Sequence, residues 1–243
     1  MFLQAIFIID FLYTGKILGK HDVYMSSGLE LGKFQLENMF LCITMGMNGS
    51  LVTLVTHARG ANMPTLCGVY LNRAILINAL MFVPLSMLMM YGGPYINYLL
   101  HPDKAIFHNA EADFSMLVNL PAIYFLSMFD LLRRYLSCFK ATWVPLQLII
   151  GATGLHLLWC NLLVDRLGWG IAGIDIAFTM TSLTLLASIV IYALRVPEVY
   201  DVLFWPELTV WSGWIEYSNL AFSSAIIYSA HYIVLYLLII VIG

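Results

Sequence analysis

The sequence predicts an all-α membrane protein, a polytopic bundle of about seven transmembrane helices, and three observations carry that prediction. Of 243 residues, 61% are hydrophobic and only 10% are charged, where soluble domains carry roughly 25% charge. The apolar residues gather into runs near the ~20 residues that a helix needs to cross a bilayer. Strands of a membrane barrel would instead alternate apolar and polar residues over roughly ten positions.

The runs follow one another along the chain. The first, 1–15, makes a helix only about 22 Å long against a ~30 Å hydrocarbon core, so it is expected to be a shortened span. With no basic stretch before it, and Lys16 and Lys20 rather than a small-residue cleavage site after it, it is expected to stay attached. The second, 28–56, carries Glu30, Lys33, Glu37 and Asn38 and is expected to face protein or a cavity more than lipid. The third, 74–92, is cleanly apolar and is expected to stop at Y-G-G-P, before a polar loop over 93–113. The fourth, 114–132, contains Pro121 and runs into Arg133, Arg134 and Lys140, which fit a cytoplasmic loop. The fifth, 142–164, ends at Asp165 and Arg166. The sixth, 170–194, opens on G-I-A-G, small residues that let helix backbones approach closely. Residues 196–217, with Trp205, Trp211 and Trp214, are expected to form a linker lying in the headgroup region. The last run, 218–243, is the seventh span.

Seven spans divide the cations into Arg59, Arg73, Arg133, Arg134, Lys140 and Arg195 in even loops and Lys16, Lys20, Lys104 and Arg166 in odd ones. The excess favours a cytoplasmic N-terminus. Nothing chooses the host membrane. A net charge of −3 with no basic stripe excludes nucleic acid as an expected partner. The four cysteines, Cys42, Cys67, Cys138 and Cys160, lie singly in or beside apolar runs and read as packing residues, with no metal-ligand cluster. No nucleophile stands beside a base and no glycine loop suits a phosphate, so neither an enzyme nor a cofactor is expected.

Asp10, inside A-I-F-I-I-D-F-L-Y, is the residue most in need of explanation. A carboxylate in mid-span costs roughly 2.5–3.5 kcal/mol on insertion scales and usually faces a bundle interior or a wet cavity. Either it faces such an interior or cavity and exchanges a proton there, or a short first helix leaves it near an interface where water reaches it.

Residues 45–74, M-G-M-N-G-S-L-V-T-L-V-T-H-A-R-G-A-N-M-P-T-L-C-G-V-Y-L-N-R-A, resemble the end of the second helix of multidrug and toxic compound extrusion (MATE) transporters, through Ala58, Gly60, Ala61, Leu66, Gly68, Tyr70 and Arg73. The resemblance continues through Gly93-Pro94, L-L-H-P-D-K-A-I at 99–106, Pro121, R-R-Y-L-S-C-F-K-A-T-W-V-P-L at 133–146 and C-N-L-L-V-D-R-L-G-W-G-I-A-G at 160–173. It implies a twelve-helix antiporter of two six-helix lobes that exchanges an organic substrate for protons or sodium by alternating access. Here it covers one lobe over 1–195, the linker over 196–217 and a seventh helix over 218–243 that opens a second lobe.

The same resemblance implies a cation- or proton-coupling set of Asp10, Asn161 and Asp165. Asn161 and Asp165 are four residues apart and share a helix face, and an amide with two carboxylates can hold a proton or a hard cation. Asp165 also reads as an ordinary end-of-helix pair with Arg166. Thr179 and Thr181 are supporting candidates, as are His57, where the family has glutamine, and His231, where eukaryotic members carry a glutamate. Asp175 suits an interfacial or subunit contact. The expected function is that of a MATE-like transporter component exporting organic or xenobiotic compounds, paired with a second copy or a partner chain. The alternatives are a degenerate lobe kept as a structural subunit of a larger membrane complex, and a fragment of a longer transporter.

Overall fold

A computed structural model describes residues 3–18, 37–100, 110–197, 199 and 213–242, with side chains at 5–17, 37–91, 117–197, 199 and 213–230. Among the described residues there are seven long helices and no strand. They are α1 (Leu3–Leu18), α2 (Glu37–Gly60), α3 (Pro64–Leu100), α4 (Ala110–Cys138), α5 (Trp143–Arg166), α6 (Gly170–Ala193) and α7 (Trp214–Ile242). Four of them, α2, α3 as far as Tyr91, α5 and α6, are long and apolar enough to cross a membrane. The 16 residues of α1 make a helix of about 24 Å.

The chain divides into two compact units, one of Met1–Asn38, Pro84–Leu126 and Trp143–Leu186, the other of Met39–Val83, Ser127–Thr142 and Ala187–Gly243. In the first, α1 turns Ile6, Ile9, Asp10 and Tyr13 to one side, the i, i+3, i+4, i+7 spacing of a helix face. Ile6 and Ile9 are buried, whereas Ile8, Phe11 and Leu12 are exposed. Ile9 packs with Cys160, Leu163 and Ala177, flanked by Tyr13, Trp159 and Ile176, and Phe7 meets Phe178 at 5.3 Å between ring centroids. The last turn of α5, Asn161–Arg166, is a π-helix, closed by Leu167 N–H donating to Leu162 O at 3.0 Å. Gly168 and Gly170, both at positive φ, then redirect the chain into α6. Asn119 Nδ2 donates to Glu37 Oε1 at 2.7 Å and Asp175 Oδ1 at 3.0 Å. Asp175 is therefore a buried helix-to-helix contact within this unit.

In the second unit two turns end helices alike. After α2, Asn62 at φ +63° lets its N–H reach Arg59 O and the Met63 N–H reach Ala58 O, both at 3.0 Å, the double closure of a Schellman motif. Lys140 at φ +65° does the same after α4, with its own N–H on Ser137 O at 3.1 Å and Ala141 N–H on Leu136 O at 3.2 Å. Arg59 bridges the two ends, bonding the Cys138 carbonyl and lying over the Phe139 ring. Deeper, Asn78 Nδ2 donates to Asn48 Oδ1 at 2.9 Å and Ser127 Oγ at 2.8 Å, and Asn48 Nδ2 donates to Ser127 O at 3.0 Å. Asp130 closes this network by accepting from Arg134 Nε at 2.7 Å and from Arg133. α7 packs against α2 where Gly46 and Gly49 leave room: a Cβ on Gly46 would lie 2.7 Å from Ala225 Cα, and one on Gly49 would collide with Ser224 Oγ.

Several expected boundaries move, α4 among them, which runs Ala110–Cys138 instead of 114–132. α3 begins ten residues early, with Pro64 at the first helical position, where a missing N–H costs nothing. It continues through Gly92-Gly93-Pro94 to Leu100, because an apolar surrounding leaves the helix as the main source of backbone partners. Arg73 therefore sits buried inside α3 rather than in a loop, and Arg133 and Arg134 lie on α4 paired to Asp130. In the expected Trp-rich linker, 200–212 lie outside the described residues, and Trp214 opens α7.

Candidate functional site

Asp10 turns inward. Its Oδ1 lies 2.7 Å from His156 Nε2, and His156 Nδ1 lies 3.0 Å from Thr181 Oγ1, so one imidazole links α1, α5 and α6. Thr181 Oγ1 is also 2.8 Å from its own helix carbonyl, Ala177 O. Cys160, one turn beyond His156, places Sγ 3.5 Å from the same Nε2. The His156 side chain has no exposed surface and that of Asp10 is 14% exposed, so the carboxylate is the exposed edge of the cluster.

Hydrogen-bond accounting gives this site two satisfied states. A threonine hydroxyl has one proton to donate and a neutral imidazole has one N–H. If Thr181 donates to Nδ1, the Nε2–H donates to a charged Asp10 and the site carries one negative charge. If Thr181 donates to Ala177 O, Nδ1–H donates to Thr181, and one further proton is held between Nε2 and Oδ1, leaving the site neutral. The two states differ by one proton and the rotation of one hydroxyl, with every ring nitrogen paired in both.

The other residues picked out from the sequence distribute as follows. Asn161 and Asp165 both lie exposed on the π-helical turn of α5. Asn161 Nδ2 donates to Asp165 Oδ2 at 3.5 Å, and Lys16 Nζ donates to Asp165 Oδ1 at 2.7 Å. Asp10 with His156 and Lys16 with Asp165 run in the same direction along both helices, so α1 and α5 are parallel. Thr181 joins the Asp10 cluster, whereas Thr179, roughly 200° around α6, donates to Val118 O on α4 at 2.9 Å. His57 is exposed in the last turn of α2, in the other unit. His231 falls on α7 where only the backbone is described. His156 and Cys160 were not among the sequence candidates; the spacing H-x-x-x-C at 156–160 is the signal that marks them.

The MatE family profile matches residues 1–162. An uncharacterized transporter of Schizosaccharomyces pombe is 30% identical over 142 residues, covering 57% of this chain and 26% of that one. Protein DETOXIFICATION 36 of Arabidopsis thaliana is 24% identical over 194 residues, covering 78% of this chain and 37% of that one. The chain thus spans between a quarter and two fifths of the length of these two relatives. A crystal structure of the eukaryotic MATE transporter AtDTX14 superposes at a TM-score of 0.80 with 18% identity, over 95% of this chain and 50% of that one. An inward-facing multidrug resistance MATE family transporter superposes at 0.65 with 12% identity, over 90% and 49%. At these identities the two structures speak for the fold. With 162 of 243 residues matched by the family profile, this integral membrane protein belongs to the MatE family.

Proposed function

We propose that the chain works as the cation-coupling lobe of a MATE-type antiporter, driving export of organic, xenobiotic small molecules with a proton gradient. The observation that carries this reading is the 2.7 Å contact between Asp10 and a fully buried His156. An acid placed against an imidazole at membrane depth binds or releases one proton while both ring nitrogens stay paired. The charged state favours water access and the neutral state favours an apolar enclosure, so proton occupancy biases which side of the lobe is open. A carboxylate oxygen, a ring nitrogen and a sulfur suit sodium poorly, since hard cations prefer oxygen donors, and the coupling ion is therefore the proton. Organic substrates are supported by the detoxification and multidrug resistance names of the proteins above. A pathway between two lobes needs a second lobe, supplied by further polypeptide, a second copy or a partner chain.

The test is uptake of a fluorescent organic cation into inverted membrane vesicles containing the protein, under an imposed pH gradient. Flux is expected in the wild type and is expected to vanish in Asp10→Asn, whose amide still accepts from Nε2–H but cannot hold the shared proton. Gradient-driven flux that persists in Asp10→Asn, or its absence in every oligomeric form, sinks the reading. The Lys16–Asp165 ion pair, which commits a family-type acid to a lysine, favours the second reading, a non-transporting structural subunit. Stable co-migration with unrelated membrane proteins and no flux would be its signature.

A further inference from the structure

We infer that Asp10, His156 and Cys160 form a binding site for a borderline-soft divalent metal ion of the zinc or cobalt kind. The inference rests on the cluster's geometry and holds whether or not the lobe transports. One ligand atom from each residue lies within 4.8 Å of the other two, and a carboxylate oxygen, an imidazole nitrogen and a thiolate sulfur are the donors that zinc accepts.

The spacings are those of a site needing one small adjustment. An ion about 2.0 Å from nitrogen and 2.3 Å from sulfur in tetrahedral geometry holds those atoms about 3.5 Å apart, and Cys160 Sγ lies 3.5 Å from His156 Nε2. The same ion needs nitrogen and carboxylate oxygen about 3.4 Å apart, against 2.7 Å between His156 and Asp10. Rotation of the Asp10 side chain, the only one of the three that is not fully buried, opens that gap. His156 and Cys160, four apart on α5, are held on one face. The second ring nitrogen has an outer partner: when Thr181 Oγ1 donates to Ala177 O at 2.8 Å, it accepts from Nδ1–H at 3.0 Å. That arrangement leaves Nε2 as the metal-binding nitrogen, the role such outer partners play in metal sites.

Charge closes the argument. On binding, the Cys160 thiol loses its proton to solvent as the metal–sulfur bond forms, and the ion displaces any proton shared by Asp10 and His156. A dication with one thiolate, one carboxylate and a neutral imidazole is electrically neutral, which a low-dielectric pocket tolerates. Three protein ligands leave a fourth position toward the exposed side of Asp10 for water, so the ion is exchangeable rather than sealed in.

The experiment titrates Co²⁺ into the purified full chain in detergent. Binding of one ion with a thiolate-to-cobalt charge-transfer band in the near ultraviolet is expected, and Zn²⁺ is expected to displace it. Cys160→Ser should abolish the band, and Thr181→Ala should weaken binding about 10–100-fold. A variant with Cys42→Ala, Cys67→Ala and Cys138→Ala combined should keep the band, which guards against a Cys160→Ser protein that fails to fold. X-ray absorption at the zinc edge should find one sulfur at about 2.3 Å. A monodisperse, helical wild type with no band, a band that survives Cys160→Ser, or a zinc environment without sulfur overturns the inference. Because no step reads transport, failure of flux and failure of metal binding are separate results.

Discussion

Replacing His156 by leucine removes one side chain and strands one charge. Leucine roughly fills the space of an imidazole with no exposed surface, so the cavity contribution is small. Thr181 keeps a partner, because its hydroxyl donates to Ala177 O at 2.8 Å. Asp10 loses the contact at 2.7 Å to Nε2. Breaking a fully buried pair costs about 3–5 kcal/mol. The carboxylate retains 14% exposure and can recruit water, which lowers the expected loss to about 2 kcal/mol. For a chain of this size that is a drop in Tm of roughly 4–8 °C, measured by intrinsic tryptophan fluorescence on detergent-solubilised protein. The companion variant decides the cause: Asp10→Leu with His156→Leu replaces the pair by apolar side chains and should recover most of the loss, since such swaps are often neutral. If the double variant is as unstable as His156→Leu alone, the loss comes from packing and the stranded-charge reasoning is wrong.

Three further outcomes are expected. Asp130→Asn takes the charge from a buried carboxylate that holds Arg133, Arg134 and Asn48, and should cost about 2–3 kcal/mol, visible as a Tm drop of roughly 4–12 °C. Gly46→Ala drives a methyl into Ala225 on α7 and should cost about 1–3 kcal/mol of overpacking, read in the same melt. The same substitution at Gly151, where an added Cβ meets nothing within 4 Å, should not destabilise and serves as the control. Lys16→Ala breaks a solvent-exposed pair and should leave Tm unchanged within about 2 °C; a larger fall would mean that the pair anchors α1 to α5.

Much of the architecture was legible before any coordinates, because a chain this apolar can satisfy its backbone in a membrane only through helices or a closed barrel. Turn chemistry was less legible. Asn62 is a residue type that tolerates left-handed backbone, but Lys140 carries no such mark, yet each closes a helix. Boundaries shifted where a local stop signal, Y-G-G-P, yielded to continued helical hydrogen bonding. Asp10 was identifiable as an anomaly, being a charge in an apolar run. Its partner was harder to assign: H-x-x-x-C at 156–160 marks His156 and Cys160, but α5 and α6 are apolar around most of their circumference, and nothing local shows which face of such a helix meets α1.

The sequence by itself therefore determined that the protein is helical, that it lies in a membrane, and that position 10 requires an explanation, since those conclusions follow from composition and from the cost of burying charge. Only the tertiary structure decided which groups answer that charge. Residues 146 and 171 positions beyond Asp10 come within bonding distance of one another because α1 packs by Ile9 onto α5 and α6. Packing rotates each helix about its axis to bury those apolar contacts, and that rotation, which no single run of residues encodes, turns Asp10, His156, Cys160 and Thr181 toward one another while it leaves Asn161 and Asp165 facing out.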